Sequence, residues 1–357
     1  MFRTHLKFFI RVFLKDKFFS ILNILGLALG ISVSIILLLI LQHDLNYDKH
    51  YTNHERIFRI GAHLQATGVD FRAARSAREL GEILKEEFPE VLAFTRANSW
   101  DHVLIKYERN GEDIAFYEED VVRTDSSYFQ VFKHDFIKGD EKTCLNLLNS
   151  LILTETTACK YFGNKDPINK SLVIDGQQWK VTGVIRDLPA NTHLKFDILL
   201  SGLSKTRDWT VEEGGQIKSE AFWNPDVFLY VLTPPGYNVK SFYDKFPGIY
   251  EKYYKSFGDK VGGKYAAIVQ PLADIHFNSA LGSDEPLGNL AYLYAFTAIG
   301  VFIMLLACIN YMNLSTAKSA KRATEIAMKK TLGSGRALDV ALSLGQSLTY
   351  VPQSVPE

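Results

Sequence analysis

Four short stretches of this chain carry residues able to do chemistry, and each can be held against the chemistry it would serve. Gly258, Gly263 and Lys264 have the G-x-x-x-x-G-K spacing of a phosphate-wrapping loop. The following residue is Tyr265, where a magnesium-bound nucleotide needs a Ser or Thr hydroxyl, and the preceding segment reads as helix rather than strand. A solvated turn with lysines is the better account. His54 and Glu55 open a zinc-protease pattern, yet Phe58 stands where the second His belongs one turn later, so no metal pair shares a face. His193, Asp197 and Ser201 have the residue types of a hydrolase triad. They fall in a loop leading into a strand, and no G-x-S-x-G elbow presents the serine. The nine histidines are scattered without metal-site spacing, so the chain is read as a non-enzyme with no catalytic, metal or cofactor residues of its own. The fourth stretch runs from Thr324 to Arg336. Ile326 and Leu332 offer an apolar contact beside Lys329 and Lys330, which suits a partner groove with acidic edges. Its plainer alternative is a basic juxtamembrane stretch held by anionic lipid.

The elements that must position that last stretch are membrane helices. No Asp, Glu, Lys or Arg occurs from Leu287 to Ala317, enough helix at 1.5 Å per residue to cross a hydrocarbon core of roughly 30 Å. Residues 287–317 are therefore read as the second membrane helix and 318–336 as the basic segment that follows it. The first membrane helix is read over 18–43, where Phe18 to His43 carries no charge. That run is far longer than a signal-peptide core of about 7–15 residues, and LQHDLNYDKH offers no small-residue cleavage site. Before it, residues 1–17 carry Phe2, Leu6, Phe9, Ile10 and Phe13 on one face and Arg3, Lys7, Arg11 and Lys15 at every fourth position. This is the pattern of a helix lying on an anionic membrane face. Within the first membrane helix Gly26, Gly30 and Ser34 place small residues at every fourth position, a face on which another helix can pack closely.

Charge sets the expected orientation. Arg3, Lys7, Arg11, Lys15 and Lys17 precede the first span and Asp44 and Asp48 follow it. Asp284 and Glu285 precede the second, and Lys318, Lys321, Arg322, Lys329, Lys330 and Arg336 follow. Both asymmetries put the ends in the cytoplasm and residues 44–286 outside the membrane.

That outer segment reads as α+β, mixed helices and β-hairpins in two subdomains, between the two transmembrane α-helices. Asn110-Gly111 and Asp175-Gly176 have type I′ hairpin chemistry between strand-like flanks. Further strands are expected at Ile57 to Leu64, Val227 to Leu232 and Tyr265 to Pro271. Helices are expected at Ser76 to Phe88, at Glu155 to Phe162 with Thr154 as N-cap and Gly163 as stop, and at Val239 to Phe257 interrupted by Pro247. Trp209 to Asn224 reads as a loop dividing the subdomains. Over its 357 residues the chain has zero formal net charge, which gives no support to nucleic-acid binding. Its three cysteines allow one internal bridge at most, between Cys144 and Cys159, with unpaired buried thiols as the plainer reading.

Taken together, the basic N-terminus, the segment NILGLALGISVSIILLLIL, the large outer domain and the second span running into NLSTAKSAKRATEIAMKKTLGSGR resemble the MacB/FtsX-like permease subunits of ABC transporters. The likeness is closest to the variants with a MacB-like periplasmic core domain that abound in Bacteroidetes. DSSYFQVFKHDFIKGD, SLILTETTACKYFGNKDPINKSLVIDG and WKVTGVIRDLPANTHLKFDILLS resemble that core domain, and the likeness spans roughly residues 1–336. It implies an inner-membrane, multi-pass subunit with its large domain in the periplasm. Such a subunit pairs as a homodimer or heterodimer in the lipid bilayer and is driven by a separate cytoplasmic ABC ATPase, which alone binds ATP. Motion is relayed outward, with a periplasmic adaptor as a further partner, to expel drugs such as macrolides, antimicrobial or other peptides, or lipoproteins. By the same resemblance Glu325, Ile326, Lys329, Lys330, Leu332 and Gly333 match the ATPase-coupling segment. Ala327 and Gly335 depart from the usual Gly and small polar residue. Residues 337–357 contain no long apolar run and carry Pro352 and Pro356, so the chain reads as ending short of two further membrane helices of the family. The competing readings are a membrane-anchored sensor or binding protein, which would continue into heptads or a catalytic module, and a non-functional permease fragment.

Overall fold

The computed structural model describes residues 17–109, 112–202, 210–211, 217–218, 220–277, 281–284 and 288–331. The chain forms two units, one built from its two long helices and one spanning His43–Leu290. The first helix, α1, covers Lys17–Leu45, and its segment Ile24–Leu45 is long and apolar enough to cross a membrane.

The outer unit begins with a 3-10 turn at His54–Arg56 and continues through β1 (Ile57–Ala66), β2 (Val69–Ala73), α2 (Leu80–Glu87), β3 (Ala93–Trp100), β4 (Val103–Arg109), β5 (Glu112–Glu118), β6 (Val121–Thr124), α3 (Tyr128–Val131) and β7 (Phe136–Lys138). Then come β8 (Ser150–Thr154), α4 (Glu155–Phe162), β9 (Ser171–Ile174), β10 (Gln177–Ile185), β11 (Ile198–Ser201), the short pair β12 (Thr210–Val211) and β13 (Ile217–Lys218), and β14 (Phe228–Leu232). The unit closes with α5 (Val239–Ile249), a π-turn at Tyr250–Tyr254, α6 (Lys255–Val261) and β15 (Lys264–Pro271). The second long helix, α7, covers Leu290–Thr331. It is apolar enough to span over Leu290–Asn310 and continues unbroken through its basic half.

Among the described residues thirteen strands form one mixed sheet, ordered β15-β1-β14-β3-β6-β11-β8-β10-β9-β4-β5, with β2 on β1 and β7 on β10. The fold is α+β, as its sequence pattern implies. β1 holds one end together. It pairs with β15 from Phe58 to Gln65, while on its other side it pairs first with β14 and then with β2. Gly61 sits at that change of partner, where an added β-carbon would stand 2.4 Å from the Ala73 carbonyl oxygen.

Strands of continuous apolar character are covered on both faces. All five residues of β14 (FLYVL) and of β8 (SLILT) are buried. In β14 alternate residues feed different clusters. Phe228, Tyr230 and Leu232 join Ile57, Ala97, Val122 and the aromatics of α3, whereas Leu229 and Val231 join Phe58, Ile60, α2 and α5. A third cluster packs α4 through Ala158, Tyr161 and Phe162 onto Ile105, Leu151, Leu153, Ile174 and Trp179.

Local signals hold where the chain decides alone. β9 and β10 meet across Asp175 and Gly176, whose φ angles of 50° and 76° are those of a type I′ turn. β4 and β5 pair from Val103↔Glu118 to Arg109↔Glu112 around Asn110 and Gly111, which lie outside the described residues. The helix at Glu155–Phe162 has its expected bounds, with Gly163 at φ 60° ending it. Thr154 occupies the N-cap position, but its hydroxyl donates to Thr157 Oγ1 rather than capping a backbone amide.

Three expectations need correction. The helix expected from Ser76 starts at Leu80, because the Ser76 amide bonds to the Val227 carbonyl in an isolated β-bridge. Pro247 does not interrupt α5; the irregularity follows it, as the π-turn before α6. The stretch Trp209 to Asn224 is not simply a loop, since its described parts hold the β12–β13 ladder and a 3-10 turn that buries Phe222.

Candidate functional site

The chemically suggestive patterns come apart in the fold. Gly258 lies inside α6, and Gly262, at φ 61°, ends that helix with its amide on the Gly258 carbonyl. The Gly263 amide bonds to the same carbonyl, so these N–H groups close a helix instead of cradling a phosphate. His54 turns its Nδ1 to the Tyr51 carbonyl. Ser201 is buried, donating to the Leu147 carbonyl and accepting from the Ser150 amide. Asp197 has its carboxyl pushed up by burial and by the nearby Asp120 carboxylate, and His193 bonds elsewhere. Among the described residues no group of three His, Cys, Asp or Glu side chains could hold a metal ion. Cys144 and Cys159 are free thiols; Cys144 is buried, while Cys159 is exposed rather than buried.

In the helical unit, α1 and α7 meet along the small-residue face. A β-carbon added at Gly26 would lie 3.3 Å from Asn310 Nδ2, and one at Gly30 would lie 3.1 Å from Ala307 Cβ. Ser34 is buried on the same face, and its hydroxyl has no partner among the described residues. Without side chains at 26 and 30 the two backbones approach, which is how apolar helices gain dispersion contact where no hydrophobic drive separates them from lipid. Glu325, Ile326, Lys329 and Lys330 fall in the last two turns of α7, continuous with its apolar half. Leu332 and Gly333 lie outside the described residues.

In the outer unit, two short straps continue the chain from α1 and toward α7, and both are pinned by buried charge. On the first strap Asp48, at φ 59°, bonds its amide to the Asn191 carbonyl. Its Oδ1 accepts from Thr192 Oγ1 and from the His193 amide, each at 3.0 Å. His193 Nδ1 lies 2.9 Å from the same oxygen, at an angle poor for a hydrogen bond. Burial pushes the Asp48 carboxyl up, but His193 and these hydrogen bonds outweigh it and hold the carboxyl below its usual range. On the second strap Asp284 is gripped by Arg59: Nη1 donates to Oδ1 and Nη2 to Oδ2, both at 2.6 Å. The guanidinium is 1% exposed and the carboxylate 5%. His276 stands where both straps pass, stacked on Tyr47 at 3.6 Å and lying so close to Gly288 that an added β-carbon there would be 2.4 Å from Nε2. The only sequence signal of this arrangement is Arg59 itself, a charge set inside the apolar run IFRI.

A groove of about 640 Å³ opens elsewhere on the outer unit, between α2 and the turn carrying Leu145, Leu147 and Leu148. Arg96 reaches it but is held in a fork by Asp125.

The sequence profile of the MacB-like periplasmic core domain matches residues 20–248, and the chain belongs to that family. It carries a MacB-like periplasmic domain of the kind found in ABC-transporter-type permeases, flanked by two apolar helices. Among solved structures, a domain of a provisionally named permease protein from Porphyromonas gingivalis matches with a TM-score of 0.51 at 18% identity, covering 68% of this chain and 98% of that one. At that identity the likeness is one of fold. The periplasmic region of MacB from Actinobacillus actinomycetemcomitans matches with a TM-score of 0.37 at 13% identity, over 59% of this chain and 88% of that one. The extracellular domain of the noncanonic ABC-type transporter YknZ from Gram-positive bacteria matches at 0.35 and 17%, over 59% and 99%. No protein of curated function matches the chain.

Proposed function

We propose that this chain is a permease subunit of an ABC transporter of the MacB/FtsX type, set in the inner membrane with its large domain in the periplasm. It relays ATP-driven motion from a separate cytoplasmic ATPase to that domain, for efflux of drugs, peptides or lipoproteins. The observation that carries the reading is the continuity of α7, one helix whose apolar span leads directly into the basic turns bearing Glu325, Ile326, Lys329 and Lys330. A helix of 42 residues is about 63 Å long at 1.5 Å per residue, more than a bilayer core needs. Its excess supports a lever standing beyond the membrane face, where a partner can push it. In this reading the chain binds no nucleotide and does no covalent chemistry; ATP belongs to the partner. A second permease copy and a periplasmic adaptor complete the assembly.

The test is co-purification of the full chain with an ABC ATPase from the same cells, with and without residues 324–336. Loss of the ATPase on deletion is expected. Retained binding would remove the coupling role from this segment.

A further inference from the structure

The two straps are pinned separately, yet their pins converge on one row of the sheet. Arg59 on β1 lies opposite Tyr230 on β14 and opposite Gln270 on β15, so the three residues stand side by side across three strands. Gln270 Oε1 accepts from Arg59 Nε at 3.1 Å and from Nη2 at 2.7 Å, which squares the guanidinium toward Asp284 on the second strap. On the other side the Tyr230 hydroxyl shares a 2.8 Å hydrogen bond with His193 Nε2, and His193 backs onto Asp48 of the first strap. Every side chain along this line is buried.

Energy argues that the row does more than stabilise. A buried ion pair roughly breaks even against apolar packing of the same volume, whereas losing one partner leaves an uncompensated buried charge and is strongly destabilising. Charges at both ends of one row make poor cement but a stiff link, because a shift of the second strap strands the Arg59 guanidinium in the interior and a shift of the first strips Asp48 of its buried donors. Apolar contacts slide, whereas the Arg59–Asp284 fork and the Asp48 carboxylate held by Thr192 and the His193 amide each have one geometry.

We infer that Arg59 is a positioning residue coupling the two straps, so that loosening one is transmitted through the row Asp48–His193–Tyr230–Arg59–Asp284 to the other. The link belongs to the outer domain; only its use in relaying force rests on the permease reading.

Hydrogen exchange on the full chain in lipid nanodiscs tests it, with the Asp48 and Gly282 amides as reporters. Each is hydrogen-bonded, to the Asn191 and Arg72 carbonyls, so each exchanges only when its own strap opens. Asp284→Asn should speed exchange at Gly282 and, through the row, at Asp48 by about tenfold. The milder Thr192→Val, which removes one bond to Asp48, should speed exchange at Gly282 even if the first variant folds poorly. Lys252→Gln, which breaks a surface tie to Glu87 far from the row, should move neither reporter. Effects confined to the mutated strap, or an equal response to Lys252→Gln, would overturn the coupling. Either result leaves ATPase co-purification unaffected, and loss of co-purification leaves the coupling unaffected.

Discussion

Gly30 on α1 faces Ala307 on α7 so closely that a β-carbon in its place would stand 3.1 Å from the Ala307 methyl. The contact fixes how near the two backbones come, and it has a direct consequence. Gly30→Leu must push the helices apart or rotate them. In a Cys308→Ala background, cysteines placed at Gly26 and Asn310 should form a disulfide readily, and adding Gly30→Leu should reduce that yield several-fold. An unchanged yield would mean that the seam is not held by its small residues.

A similar close approach inside the outer domain gives a stability prediction. A β-carbon at Gly81 of α2 would lie 2.6 Å from a ring carbon of Phe94 and 3.0 Å from Leu229. Gly81→Ala gains helix propensity of about 1 kcal/mol, but the Phe94 ring on β3 must then shift toward the groove it lines, and the fully buried Leu229 must give as well. Overpacking of about 1–3 kcal/mol should match or exceed that gain, so chemical denaturation should show no stabilisation or a net loss. A more stable variant would show that Phe94 can move.

Acid sensitivity follows from His134. Its ring is enclosed by Tyr51, Tyr128, Phe129 and Phe196, and Nε2 lies 3.2 Å from the Tyr128 hydroxyl. Burial drives its pKa down to about 3, so the folded protein keeps the imidazole neutral while the unfolded chain protonates it near 6.5. The unfolded state therefore binds the extra proton, and stability is lost as pH falls from about 6.5 toward about 3, at up to ~1.4 kcal/mol per pH unit. Asp48 adds to the loss at lower pH. Its folded carboxyl lies below the usual value, so its contribution is present above about pH 4 and disappears as pH falls through the folded pKa. Thermal unfolding followed between about pH 6.5 and 4.5 should show a shallower slope in His134→Leu than in the parent; an identical slope would contradict the assignment.

What the sequence made legible was local. The hairpin at Asp175-Gly176, the strands around Ile57 and Phe228 and the helix from Glu155 depend on turn chemistry and apolar spacing within a few residues. Both long apolar helices were readable for the same reason. The sheet order was not, because β1 pairs with β2 next to it in the chain but draws its other two neighbours, β14 and β15, from more than 150 residues away, and nothing near Ile57 specifies them. Ser76 was drawn into a β-bridge by Val227, which helix propensity cannot anticipate. The straps were hidden most thoroughly. Arg59 and Asp284 are 225 positions apart, and the charge inside IFRI does not tell which carboxylate answers it.

Compartment is the claim on which the permease reading stands, and the chain carries its own probe. Cys159 is a free, exposed thiol on α4, in the outer domain. A membrane-impermeant maleimide applied to spheroplasts should label Cys159 without lysis, while a cysteine substituted at Lys329, past the span of α7, should react only after the membrane is opened. Protection of Cys159 in sealed spheroplasts, or ready labelling at position 329, would contradict an outer domain held by two membrane helices with their basic ends inside.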